Sequence, residues 1–346
     1  MSPYATSMLL SSLSTGTVIT LISNHWFLAW MGLELNMLAI IPLMSKMHHP
    51  RATEAAIKYF LIQSTASALI LFATTLNAWH TGEWTIINMQ TTPSVFMLTT
   101  ALMMKLAVAP FHLWLSDVAQ GLDLLACLIL LTWQKLAPMA LLIQIGPEVN
   151  SMMLIILGIL SLLVGGWGGL NQPQLRKIMA YSSIAHLGWM IIATSYFPAL
   201  ALINLTVYLM MTTTMFLMII NFSSTNINKM ASSWMKNPPL ASMMIIILMS
   251  LGGLPPMSGF LPKWLILEEI IKQNMIPLAT TMAIFTMLSL FFYLRLSYAM
   301  SLTTPPTPMN SKLMWQLKTK PNQMMPTTTI ISIMLLPIMP SIMILI

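Results

Sequence analysis

Apolar residues run along this chain in stretches of about 20, parted by short polar connections, from its first residues to its last. An unpaired backbone group in hydrocarbon costs several kcal/mol, so a stretch of that length is read as a helix spanning a bilayer. The pattern predicts about eleven such spans, at residues 4–22, 25–44, 53–79, 95–115, 124–144, 152–170, 175–195, 199–222, 240–271, 277–300 and 327–346. The fold class expected is an all-α integral membrane protein, with one membrane domain over residues 1–346. Residues 303–325, rich in Pro, Thr and Lys, form the longest polar connection and are expected to lie along a membrane surface.

Proline inside a spanning helix removes a backbone hydrogen bond and clashes with the preceding turn, so it marks a break at depth. Two spans carry one. The fourth reads Lys105-Leu106-Ala107-Val108-Ala109-Pro110-Phe111-His112, and the ninth reads Gly252-Gly253-Leu254-Pro255-Pro256-Met257-Ser258-Gly259 with Pro262-Lys263 just beyond. With residues 1–145 as one five-helix unit, 151–301 as a second and 302–346 as a surface linker and final helix, these are the fourth members of the two units. Five is odd, so the second unit enters from the opposite side. Interrupted helices at matching positions of inverted repeats point to a transport pathway near the membrane midplane.

Composition excludes several classes. Charged residues are 7% of the chain and hydrophobic ones 57%, which leaves too little polar material for a water-soluble surface. The net charge of +7 comes from Lys and Arg scattered between apolar runs, without the basic stripe and interleaved aromatics that nucleic acid requires. Lys46, Arg51, Arg176, Lys177, Lys229, Lys236, Lys312, Lys318 and Lys320 fall in connections on the N-terminal side, and only Lys272 falls opposite. The N-terminal side is therefore expected to face the cytoplasm or matrix. The first run has no positive segment ahead of it and no small-residue cleavage pattern, so it is expected to remain as a helix. The lone Cys127 allows no intrachain disulfide and no cysteine-held cluster, so redox cofactors are expected on other chains.

Glu34, Lys105, Lys135 and Lys263 fall near the centres of their spans. Each ionised residue there costs roughly 2.5–3.5 kcal/mol, and four together about 10 kcal/mol, unless they face the bundle interior, pair, or meet water. A buried ion pair that only fixes helix register is one reading of Glu34 and Lys105. Three lysines against one glutamate weaken it. A buried lysine beside a movable or screened carboxylate can instead take up and release a proton near neutral pH. In that reading Glu34 modulates Lys105, Lys135 is the central carrier, and Lys263 passes the proton onward.

His112 and His186 could bridge lysines too far apart for direct transfer, or could be packing residues. Arg295 lies off centre and could snorkel to the interface. Glu54 and Lys58 are spaced to pair on one helix face, and Gly165-Gly166-Trp167-Gly168-Gly169 suits close helix packing.

Ala109-Pro110-Phe111-His112-Leu113-Trp114, Leu131-Thr132-Trp133-Gln134-Lys135 and Lys177-Ile178-Met179-Ala180-Tyr181-Ser182-Ser183-Ile184-Ala185-His186, together with the ninth-span break, resemble the antiporter-like membrane subunits of respiratory complex I. The resemblance covers nearly the whole chain and is to the mammalian mitochondrial kind. It implies a proton-translocating role, coupled to electron transfer from NADH to ubiquinone on other subunits that carry FMN and iron–sulfur clusters. It also implies that other complex I membrane subunits and phospholipid are partners, that no cofactor sits on this chain, and that the protein lies in the mitochondrial inner membrane with a matrix N-terminus.

Glu34, Lys105, Lys135 and Lys263 match the family's hydrated axis. Two features depart from the family. The resemblance implies that the three helices that begin its longer members have no counterpart here, and the family pattern after Trp114 gives way to Leu115-Ser116-Asp117, with Asp123 at a usually apolar place. Two other readings stay open from the sequence, a stand-alone cation/proton antiporter and a scaffold that conducts nothing.

Overall fold

The computed structural model describes residues 2–46, 49–302 and 324–345, so the 303–325 connection lies almost wholly outside the described residues. The helices, in chain order, are α1 (Pro3–Ile22), α2 (Trp26–Met44), α3 (Pro50–Thr81), α4 (Thr92–Leu106), α5 (Leu113–Gly121), α6 (Leu124–Leu131), α7 (Leu136–Ile145) and α8 (Ser151–Gly169). Then follow α9 (Leu175–Tyr196), α10 (Pro198–Phe222), the short α11 (Ile227–Ala231) and α12 (Ser233–Lys236), α13 (Pro238–Gly252), α14 (Phe260–Lys272), α15 (Ile276–Ser301) and α16 (Met324–Leu345). Among the described residues no strand forms, and the only β pairing is two isolated bridges.

Eight helical segments are long and apolar enough to cross a membrane, among them a continuous Leu124–Glu148 that includes α6 and α7. The predicted fourth and ninth spans are split as their prolines require, into α4 with α5 and α13 with α14.

Sequence explains the ends and the polar content of these helices. Ser2 and His25 accept hydrogen bonds from the amides of Ala5 and Phe27 at the starts of α1 and α2, and His49 does the same for Arg51 ahead of α3. Along the helices Ser and Thr hydroxyls donate to carbonyls one turn back, as in Ser11 to Met8, Thr17 to Ser14 and Thr214 to Met211. A hydroxyl satisfied by its own helix costs little in an apolar setting.

Contacts group the chain into two compact units, Met1–Ser161 with Ile191–Pro198, and Leu162–Met190 with Ala199–Ile346. In the first, α1 and α2 cross at Gly16 and Gly32, where a methyl on Gly32 would lie 2.8 Å from the Gly16 carbonyl oxygen. Helix α3 packs on α2, α4 and α5. At the start of α3 the exposed Lys58 pairs with Glu54 at 2.7 Å and reaches Asp117 of α5 at 3.9 Å. In the second unit α13 and α14 pack on α15, and α16 packs on α13. The glycine run of α8 admits Ala185 and Tyr181 of α9 against Gly165 and Gly168, and Leu288 and Phe292 of α15 against Gly166 and Gly169.

Candidate functional site

Both breaks are built from the same backbone turn. Helix α4 ends at Ala107, whose φ of +61° is left-handed, and there the Ala107 amide donates to Met104 and the Val108 amide to Met103, at 3.3 and 3.0 Å. Helix α13 ends at Gly253, φ +85°, where the Gly253 amide donates to Ser250 at 3.0 Å and the Leu254 amide to Met249 at 3.3 Å. This pair of bonds closes a helix and turns the chain aside. A proline stands three residues past each cap, Pro110 and Pro256, and bars an immediate restart.

Lysine serves the two breaks differently. Lys105 lies in the last turn of α4, beside carbonyls that carry the negative end of the helix dipole. Lys263 comes from the first turn of α14 and folds back, its Nζ donating to the carbonyl oxygen of Gly252 at 3.1 Å. Each break thus sets a buried amine near the carbonyl end of a half-helix. Lys105 and Lys263 are each 8% exposed and Lys135 4%.

Lys135 sits in a third interruption that the sequence reading did not foresee. The predicted fifth span 124–144 is not one regular helix. A 3₁₀ turn, Trp133–Lys135, separates α6 from α7. Its cause is Pro138, whose ring crowds the carbonyl of Gln134 and offers that carbonyl no amide. A 3₁₀ turn inside a longer helix often marks a functional hinge.

In the first unit Lys105 and Lys135 line one cavity, together with Asn36, Tyr59, Gln63, Trp114 and Gln134. The cavity offers about 20 Å³ to the centre of a water molecule, room for about one. Three of its lining residues carry a buried polar atom without a protein partner: Asn36 Oδ1, Trp114 Nε1 and Gln134 Nε2. Glu34 is half-buried on α2, beside the lining residue Leu33, and is within electrostatic reach of the Lys105 amine and the Tyr59 hydroxyl. It makes no direct salt bridge to Lys105. His112 is half-buried at the end of the first break, with its Nδ1 unpartnered.

In the second unit His186 is buried against the Tyr208 ring, with centroids 5.2 Å apart, and Lys263 lies at its own break. Arg295 is exposed and donates from Nη1 to the Leu170 carbonyl at 2.6 Å, just past the end of α8. Sequence reasoning missed Asn36, Tyr59, Gln63 and Gln134. Their signal was present: they are polar residues at depth, and Tyr59 and Gln63 are one helical turn apart.

Comparison with known proteins fits this architecture. Residues 23–289 match the family model for the transmembrane part of NADH:quinone oxidoreductase and Mrp antiporters, and residues 290–343 match that for the C-terminus of NADH dehydrogenase subunit 2. A Scyliorhinus canicula protein named NADH-ubiquinone oxidoreductase chain 2 is 54% identical over 346 residues, covering 100% of this chain and 99% of its own. Proteins of the same name from Osphranter robustus and Xenopus laevis are 54% and 53% identical, covering 98% of this chain in each case and 98% and 99% of their own. Identities this alike single out no mammalian origin.

Among solved structures, a chain of respiratory complex I from Thermus thermophilus with bound aureothin superposes with a TM-score of 0.86 at 24% identity, covering 98% of this chain and 79% of that one. A chain of the Mrp complex from Dietzia gives 0.78 at 19%, covering 88% of this chain and 61% of that one. At those identities the likeness is one of fold. With full-length relatives above half identity, the chain belongs to the NADH-ubiquinone oxidoreductase chain 2 family of antiporter-like membrane subunits.

Proposed function

We propose that this chain is a proton-translocating membrane subunit of respiratory NADH:ubiquinone oxidoreductase, carrying protons along a buried Glu/Lys relay while redox chemistry proceeds on other subunits. The observation that carries this reading is the cavity shared by Lys105 and Lys135. Two amines, 8% and 4% exposed, meet polar side chains with unpartnered atoms beside room for a water. A proton can move between such groups through one bridging water, because water both accepts and donates. Glu34, close enough to bias Lys105 but not bonded to it, is suited to modulate that amine.

In this reading Lys135 is the central carrier, and its 3₁₀ turn gives the amine freedom to change partners. Lys263 passes the proton onward from the second break, with His112 and His186 as bridges between amines. The cap geometry common to the two breaks supports the inverted five-helix repeats, and the two split helices with α16 complement the eight full spans toward a total of eleven. The partners are other membrane subunits of the complex and phospholipid. NADH, ubiquinone, FMN and iron–sulfur clusters belong to the rest of the assembly. The location is the mitochondrial inner membrane, with the N-terminus in the matrix.

Replacing Lys135 with Met in the assembled complex tests the proposal. The expected result is normal subunit content with fewer protons moved per electron pair. Unchanged proton stoichiometry in that variant would overturn the relay. Purified chain in liposomes separates this role from that of a self-sufficient antiporter: a subunit shows no cation exchange by itself.

A further inference from the structure

The loop of the second break is held at two adjacent residues. Gly259 lies so close to the carbonyl oxygen of Ser250 that a methyl group there would overlap it. Next to it the Ser258 hydroxyl, 3% exposed, donates to the backbone carbonyl of Ser332 in α16 at 2.8 Å. The helix that accepts this bond docks by one face. Met325, Thr329, Ser332 and Leu335, at spacings of four, three and three, are buried positions among its described side chains. Asn221 Nδ2 also donates weakly to Met325 Sδ, at 3.6 Å.

The bond joins regions that the family models treat separately. Ser258 falls in the part common to quinone oxidoreductases and Mrp antiporters, and Ser332 in the part particular to subunit 2. Five residues beyond Ser258, on the first turn of α14, stands Lys263, with its amine on the Gly252 carbonyl. The start of α14 is therefore tied on one side to its preceding half-helix and on the other to the C-terminal helix.

We propose that Ser258 is a positioning residue, whose hydroxyl anchors the break to α16 and so holds Lys263 against the carbonyl end of α13. The inference rests on the relay reading above. The C-terminal helix then acts as a clamp on the second lysine. Losing the hydroxyl leaves the Ser332 carbonyl to its own helix but releases the start of α14.

The test compares S258A, S258T and K263Q in the assembled complex, reading protons moved per electron pair, uncoupled NADH-to-ubiquinone electron transfer, and the pH profile of pumping. S258A is expected to keep uncoupled electron transfer, to lower the proton ratio about twofold, and to shift the pH profile by about half a unit. S258T, which retains the hydroxyl, is expected to restore both. A wild-type ratio and profile in S258A, with K263Q impaired, would overturn the clamp alone. An unimpaired K263Q would instead remove the relay on which it rests. If S258A fails to assemble, S258C, which keeps the volume but donates weakly, takes its place. Assembly loss in both would reduce Ser258 to packing and overturn the proposal.

Discussion

Lys263 can rest on the Gly252 carbonyl because residue 253 has no side chain: a methyl there would stand 2.9 Å from the lysine Nζ and 3.1 Å from its Cδ. Gly253 is also left-handed, at φ +85°, a conformation that costs a residue with a Cβ about 1–2 kcal/mol. Gly253→Ala is therefore expected to disturb the lysine and to impair pumping more than it lowers the amount of assembled subunit. Gly82 provides the contrast. It is left-handed too, at +75°, but nothing lies within 4 Å of a methyl built on it. Gly82→Ala is expected to cost about 1 kcal/mol in heat resistance and to leave proton stoichiometry unchanged. Equal effects of the two on pumping would show that the lysine's seat does not matter.

The elements divide into those legible in the sequence and those that were not. The apolar runs fixed the long helices, and Pro110 and Pro255-Pro256 announced the splits of the fourth and ninth spans, because a missing amide and a ring clash are local facts. The break at Lys135 escaped notice because Pro138 acts four residues upstream, on the Gln134 carbonyl, and the apolar pattern runs through it undisturbed. Likewise Glu34, Lys105 and Lys135 were legible as costly charges, whereas Asn36, Gln63 and Gln134 are ordinary amides until folding gathers them round one cavity. Pro138→Ala is expected to let the helix run on from α6 into α7 and to lower the proton ratio without loss of helix content by circular dichroism. A normal ratio in a straightened helix would mean that the interruption is not needed. Ala107, the only capping residue of the two breaks with a side chain, holds φ +61° at a strain of about 1–2 kcal/mol. Ala107→Gly is expected to raise heat resistance by a fraction of that.

For the whole molecule, the uneven distribution of basic residues predicts orientation. Lys229 and Lys272 flank the split ninth span, so cysteines placed there on a Cys127→Ser background are expected to react with an impermeant maleimide from opposite faces, position 272 from outside and 229 after permeabilisation. Labelling of both from one face would break the topology. Lys272 is an inexpensive place for the probe. Its exposed amine pairs with Glu269 at 2.7 Å and Glu268 at 3.1 Å, which raise its pKa, so whatever stability the pairs lend is present at neutral pH and disappears only as pH climbs past that raised value.

The hydroxyls that bind their own helix one turn back have a consequence for inheritance. An exposed Ser or Thr whose hydroxyl is satisfied by its own helix, as that of Ser11 is, can become Ala, or the reverse, with no other residue needing to change in step. Such sites are free to drift between lineages as single events. Gly16, Gly32 and Gly259, hemmed in by backbone oxygens that cannot yield, hold no such licence, and replacements there are expected among harmful inherited variants rather than among neutral differences.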